Sequence, residues 1–239
     1  SVDTADTRAA ASVDTSTLIF VANDASAVEN ADANEPSAAV ALEVSVETAV
    51  ETSTLILLAN EPSAAIALEE LVRVGADTFI RVGTSGHIQK DIKSGDLAII
   101  TAAIRDEGTS KHYMPIEFPA VADIDLVMAL QRAAKKTGAR SRTGITQSKD
   151  SFYGQHEPAR MGVGPDLLNR WKAWEIGGAL CSEMEASALF VIASMLRVRA
   201  GGVMMVHGVD PMPPLDILLD TAVQGLREII AEDKASGRL

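Results

Sequence analysis

Cys181-Ser182-Glu183-Met184-Glu185-Ala186-Ser187 is the stretch on which the fold turns: a strand-like run ends here and the apolar segment ASALFVIASMLRV (186–198) begins. Glu183 and Glu185 stand two apart, so an extended backbone sends both to one face, whereas a helix would splay them by about 200°. The segment after them is too apolar for a surface helix, which places the two acids at the mouth of something buried. A bare carboxylate there needs partners, and the hydroxyls of a bound sugar would serve. Capping of the helix N-terminus, where the macrodipole favours negative charge, is the simpler reading of this segment taken alone.

Outward from this point the chain alternates strand and helix. LIFVA (18–22) and LILLA (55–59) read as buried strands, with an alanine-rich, helix-compatible stretch after the first. Pro62 opens the helix AAIALEELVRV and Gly75 closes it. Strands are expected at Thr78 to Val82, Leu97 to Ala103, Thr143 to Gln147 and Val203 to Val206, and helices at Ile124 to Thr137 and from Leu215 to about Ala231. Repeated βα alternation without a Pro/Gly/Ser linker predicts one α/β domain over 1–239 with a mixed, largely parallel central sheet.

Composition narrows the function. The longest apolar runs fall far short of the roughly 20 residues a bilayer span needs, and no basic n-region opens the chain, so neither a membrane partner nor a signal peptide is expected. Cys181 is the single cysteine, which fits a reducing cytoplasm. A net charge of −12 argues against nucleic acid, whose phosphates need a basic stripe. Small molecules remain.

The charge is uneven. Residues 1–74 hold thirteen acids against Arg8 and Arg73, a net of −11 that leaves −1 for the rest, and they contain no glycine, lysine or histidine. NEPSAAVALE (34–43) returns as NEPSAAIALE (60–69) and TSTLIFVAND (15–24) as TSTLILLANE (52–61). The offsets, 26 and 37, differ, which excludes a solenoid of one period.

In an α/β sheet ligands gather at the carboxyl ends of strands, and two further segments end there with useful chemistry. In Phe79-Ile80-Arg81-Val82-Gly83-Thr84-Ser85-Gly86, glycines after a strand would expose backbone N–H groups, and Arg81 adds a fork suited to phosphate. An arginine inside an apolar strand costs enough to demand a partner. In Gln147-Ser148-Lys149-Asp150-Ser151-Phe152-Tyr153-Gly154-Gln155-His156, aromatic rings stand beside an amide that matches the edge of a nucleobase. Taken alone, this segment reads more simply as a polar loop with Phe152 and Tyr153 in the core, a surface His156, and Lys149 paired with Asp150. No GxGxxG, Walker loop, HExxH or paired CxxC is present, so dinucleotide, triphosphate and zinc chemistry lack their usual signals, and no metal or cofactor is expected.

Four strings in order, PSAAIALEELVRVGADTFIRVGTSG, HYMPIEFPAVAD, QSKDSFYGQHEP and EMEASAL, make residues 62–206 resemble the nucleoside phosphorylases, most closely the uridine phosphorylases. The resemblance implies a three-layer αβα fold in a homo-oligomer, commonly a hexamer of dimers. It also implies reversible attack of inorganic phosphate, the co-substrate, on C1′ of a nucleoside to give ribose 1-phosphate and free base. By the same resemblance Arg81, Gly83 and Thr84 hold phosphate, with Thr84 also near the ribose. Glu183, Met184 and Glu185 hold the ribose, Phe152 packs on the base, Gln155 pairs with uracil, and Arg160 is a looser match beside it. Arg81 and Glu185 would carry catalysis, because both favour the oxocarbenium-like transition state.

Departures from the family pattern cluster before residue 61. Asn23 stands where a phosphate-loop glycine belongs, Ala27 replaces an arginine, and LLANEPS replaces a glycine-rich string; later, His207-Gly208-Val209-Asp210 also departs. One arginine would then hold phosphate where three normally do, and each lost charge-assisted hydrogen bond is worth roughly 1.5–3 kcal/mol. Three readings follow: phosphorolysis of a nucleoside such as uridine, a nucleoside-binding or storage relative without catalysis, and a nucleosidase that uses water.

Overall fold

The computed structural model describes residues 17–22, 40–44, 53–58, 61–73, 75–208 and 213–238. Its strands are β1 (Thr17–Ala22), β2 (Val40–Val44), β3 (Ser53–Leu58), β4 (Thr78–His87), β5 (Leu97–Asp106), β6 (Ala120–Val121), β7 (Ser141–Lys149), β8 (Cys181–Glu183) and β9 (Arg199–His207). The helices are α1 (Glu61–Arg73), α2 (Ile124–Thr137), the short α3 (Phe152–His156), α4 (Gly164–Ile176), α5 (Ala186–Leu196) and α6 (Asp216–Ser236). The readings at Asn23, Ala27 and Asp210, and the alanine-rich stretch after β1, lie outside the described residues.

The expected α/β architecture with a mixed sheet is present, and the sheet closes on itself. β4 pairs with β8, β8 with β7, β7 with β5, β5 with β9, and β9 returns to β4. The long ladders of this barrel, β4 with β9 and β5 with β7, are parallel, whereas β1, β2 and β3 extend the sheet from β4 as antiparallel neighbours. "Largely parallel" therefore holds for the barrel alone. Closure follows from how β4 uses its second edge: its N-terminal half pairs with β1 and its last two residues with β8.

Local chemistry explains the elements. Asp123 caps α2, its carboxylate accepting from the amides of Asp125 (3.0 Å) and Leu126 (3.2 Å), and Gly138 ends the helix at φ +74°. Leu126, Val127, Leu130 and Ala134 of α2 pack with Leu218, Ala222, Leu226 and Ile229 of α6 against Ile80, Leu97 and Val203. The apolar α5 is buried with α1 in a second cluster around Phe79, Ile100 and Met204, as its composition demands. The repeated decapeptide takes two forms: VALE of the first copy lies in β2, IALE of the second in α1. The flanks decide, since Val-Ser-Val favours a strand and Glu-Leu-Val-Arg continues a helix.

One strand boundary changes the chemistry. β4 does not stop at Val82 but runs to His87, with Gly83, Thr84, Ser85 and Gly86 in register with Met204, Met205, Val206 and His207. The GTSG segment is therefore strand rather than a turn of exposed amides, because its backbone is engaged by β9.

Candidate functional site

The site is built around β8, three buried residues wedged between the C-terminal ends of β4 and β7. Glu183 leaves this strand pointing at the start of α5. One carboxylate oxygen accepts from the amides of Glu185 (2.8 Å) and Ala186 (3.0 Å), and the other accepts from the Ser148 hydroxyl. Ser148 Oγ in turn accepts from the amide of Ser187 at 2.9 Å. Glu183 is thus the helix cap that the sequence suggested for both acids, and Glu185, at the N-cap position, makes no side-chain cap hydrogen bond.

Glu185 turns instead to Arg81. Arg81, 3% exposed, donates through Nε to Glu185 Oε2 at 3.1 Å and through Nη2 to the same oxygen, while Nε also lies 3.0 Å from Glu183 Oε2. Burial works against the charge of Arg81, but Glu185 and Glu183 beside it hold its pKa above the ordinary value. Nη1 meets the Met204 sulfur, a weak acceptor, at 2.7 Å. Gly83 leaves the room this guanidinium occupies, since a Cβ there would lie 2.5 Å from Nη1. The two acids do converge on one side, and the partner that Arg81 needs is this pair.

A cavity of about 550 Å³ opens at the C-terminal ends of β4 and β7, bounded by Gly86, Gln147, Lys149, Asp106, Gln155 and the α4 residues Arg170 and Trp174. Lys149 is not a surface partner of Asp150: it is 7% exposed and donates to Ser182 Oγ at 2.7 Å, while Asp150 accepts from the Gly108 amide at 2.9 Å. Burial lowers the Lys149 pKa to about 8. Ser182 Oγ lies 2.8 Å from Gln155 Oε1 and also reaches Gln147 Oε1, and Gln147 Nε2 donates to Asp106 Oδ2 at 2.8 Å. Asp106, whose pKa burial raises, is paired with Arg170, and Arg170 lies over the Trp174 ring.

The structure thus brings Arg81, Gly83, Glu183 and Glu185 together, with Gln155 in the neighbouring cavity. Thr84 and Met184 are half-buried near them, on β4 and between β8 and α5. Phe152 and Arg160 stand apart from the cavity lining. Phe152 is 53% exposed and stacks on His156 at 4.2 Å, so it is neither in the core nor over the cavity, although His156 itself borders it. Arg160 is exposed, paired with Glu157 at 2.8 Å and lying over Tyr153. Phe152 and Tyr153 stand in the first turn of α3 behind the Ser151 cap and are exposed, Gln155 of the same helix lines the cavity, and Arg160 lies beyond α3 in the 3-10 turn Pro158–Arg160. Arg170, Trp174, Ser182, Gln147 and Lys149 were missed. A polar QSK end on a buried strand was the available signal for two of them; α4, lying beyond the barrel in sequence patterns mixed between charge and tryptophan, offered none.

With this geometry in view the relatives become informative. Residues 43–228 match the phosphorylase superfamily, and the chain belongs to that family. The uridine phosphorylase of Treponema pallidum (strain Nichols) is 53% identical over 138 residues, covering 58% of this chain and 54% of its own. That of Thermococcus kodakarensis is 48% identical over 133 residues, 55% of this chain and 48% of its own. A guanosine phosphorylase of Halorubrum lacusprofundi is 39% identical over 138 residues, 58% and 53% of the two chains. The chain spans about half the length of the curated relatives it matches. The resemblance read from the four strings is borne out at the level of the family.

Proposed function

We propose that the chain carries the catalytic part of a pentosyltransferase that cleaves a nucleoside, uridine in preference to others, with inorganic phosphate. The observation that carries this reading is the pair Ser182-Glu183 on β8. Glu183 belongs to the charge cluster with Arg81 and Glu185, and Ser182 to the amide network of Gln155, so two consecutive residues join an anion- and ribose-binding half to a base-binding half. In the reaction a phosphate oxygen bonds to C1′ as the C1′–N1 bond breaks, and the electron pair of that bond leaves on the base. Arg81 and Thr84 hold the phosphate, with Nη1 exchanging the weak Met204 acceptor for a phosphate oxygen. Glu185, with Met184 and Glu183 alongside, holds the ribose hydroxyls and favours the positive charge that develops on the sugar. Gln155 hydrogen-bonds the base edge, and Phe152 covers it if α3 closes. The names of the uridine phosphorylases that match at 48–53% identity support the pyrimidine choice.

No cofactor beyond phosphate is part of this reading. Helices α1 and α5 on one cluster and α2 and α6 on the other support describing the fold as three layers around the barrel. Assembly as a homo-oligomer, a hexamer of dimers, is supported by apolar side chains left exposed at Ile116, Val121, Ile124 and Met128. Among the described residues no helix is long and apolar enough to cross a membrane, and a cytoplasmic site of action is part of the proposal. Uracil release from uridine tests the whole. Release that depends on phosphate supports it, equal release in phosphate-free buffer points to a nucleosidase, and binding without release points to a storage relative.

A further inference from the structure

Of the charged residues lining the cavity, Asp106 and Arg170 pair with one another and Asp150 accepts from the Gly108 amide, whereas Lys149 is left without a task by the proposed reaction. The residue is 7% exposed, lines the cavity, and its ammonium has three N–H donors; among the described residues its hydrogen-bond acceptor is Ser182 Oγ. Two donors have no acceptor among the described residues, and a buried ammonium is costly until acceptors meet them, which a ligand in the cavity that Lys149 lines could supply. The same Ser182 oxygen lies 2.7 Å from Lys149 Nζ and 2.8 Å from Gln155 Oε1, so the ammonium and the amide border one another within the reach of a single six-membered base.

The surroundings fix what the ligand must offer. Lys149 can only donate, so Ser182, taking a hydrogen bond from it, directs its own proton to an amide oxygen. Gln147 is held with its NH₂ on Asp106, which leaves its oxygen facing Ser182. The Lys149 position therefore calls for an acceptor on the base, a carbonyl oxygen rather than an exocyclic amine. A carbonyl conjugated with the ring nitrogen is also where the electron pair of the breaking C1′–N1 bond comes to rest.

We propose that Lys149 is a catalytic and specificity-determining residue that donates a hydrogen bond to a carbonyl oxygen of the base, selecting oxo-pyrimidines and stabilising the base as it departs with the bonding electrons. This rests on the nucleoside reading of the site, and the tests separate the two. Free uracil is titrated into the full chain and into Lys149→Met and Lys149→Gln. The expected result is an affinity about ten- to a hundredfold weaker in both variants, the worth of one charge-assisted hydrogen bond. With phosphate present, both variants should lose more of their kcat/KM on uridine than on 5-fluorouridine, whose more acidic base needs less help in leaving. A purely structural lysine would lower the two rates in equal proportion, and that result, or unchanged uracil affinity, overturns the assignment. Lys149-dependent uracil binding without phosphate-dependent release would instead overturn phosphorolysis and leave the base contact standing.

Discussion

Replacing Arg81 tests the charge cluster most directly, and the structure changes what to expect of it. In sequence terms, an apolar residue at 81 removes a costly charge from a strand and should leave the fold intact. In the structure that charge answers Glu185 and Glu183, both buried, so Arg81→Met strands two carboxylates rather than relieving one cation. Breaking a buried pair from one side costs about 3–5 kcal/mol, which for a chain of this size lowers Tm by about 6–20 °C. Glu185→Gln should cost less, about 1–3 kcal/mol, because Arg81 keeps Glu183 at 3.0 Å. The double variant, with one charge of each sign gone, should be more stable than the sum of the two losses predicts, by about 1–3 kcal/mol of coupling. Urea unfolding of the four proteins gives the cycle, and phosphate-dependent uracil release gives the activity, which all three variants should lose. Additivity within about 0.5 kcal/mol would refute the idea that Arg81 and Glu185 hold one another, and an Arg81→Met protein that kept its phosphorolysis would remove Arg81 from the phosphate site.

Gly83→Ala places a Cβ 2.5 Å from Arg81 Nη1, so the guanidinium must leave its seat; the KM for phosphate should rise at least tenfold while Tm falls by only a few degrees. Arg160→Ala should leave kcat/KM for uridine unchanged, since the side chain is exposed and paired with Glu157 outside the cavity. Folding with Lys149 charged is penalised below about pH 8, so the unfolded chain binds more protons as pH climbs toward its ordinary value of 10.5, and stability should rise across that window. Lys149→Met should flatten the rise, and uridine turnover should fall as wild type passes pH 8. Glu183 and Cys181 of β8, Glu185, Arg81, Asp106 and His156 face this lysine; the thiol, pushed up to about 11 by burial, keeps its proton throughout the window. Gln155→Leu should cost uridine more than inosine in kcat/KM, and equal losses would show that the amide does not read the base.

How much was legible varied with the physics that decides each element. Helix α2 was readable from end to end, because the 3.6-residue apolar stripe, the cations Lys135 and Lys136 and the closing Gly138 all act locally. β9 was read only from 203 to 206, since Arg199, Gly201 and Gly202 break the apolar run. Yet Arg199 is held by Asp233 and Thr78, and Gly201 lies where a Cβ would come 3.0 Å from Leu126. Such residues are explained by contacts more than 30 positions away. Closure of the barrel was equally hidden: the two ladders that β8 makes are two and three residues long, and no periodicity can register an element that short.

The same limit explains why the two glutamates could be named but not separated. Sequence spacing puts Glu183 and Glu185 on one side; of the two roles considered for them, Glu183 fills the helix cap, while Glu185 pairs with Arg81. Which acid takes which role depends on where the strand ends. β8 stops at Glu183, so that carboxylate sits beneath the free amides of 185 and 186, while Glu185 already has the backbone of an N-cap residue and its side chain is thrown clear toward β4. Because Glu183 is committed to the cap, Arg81 and Glu185 are the pair left to open toward a substrate. Glu183→Gln should therefore act chiefly on stability, through the helix and through Ser148, whereas Glu185→Gln should act chiefly on turnover. Circular dichroism melts beside uridine kinetics on the two variants decide the point, and a Glu183→Gln protein that melts like wild type but has lost its activity would reverse the assignment.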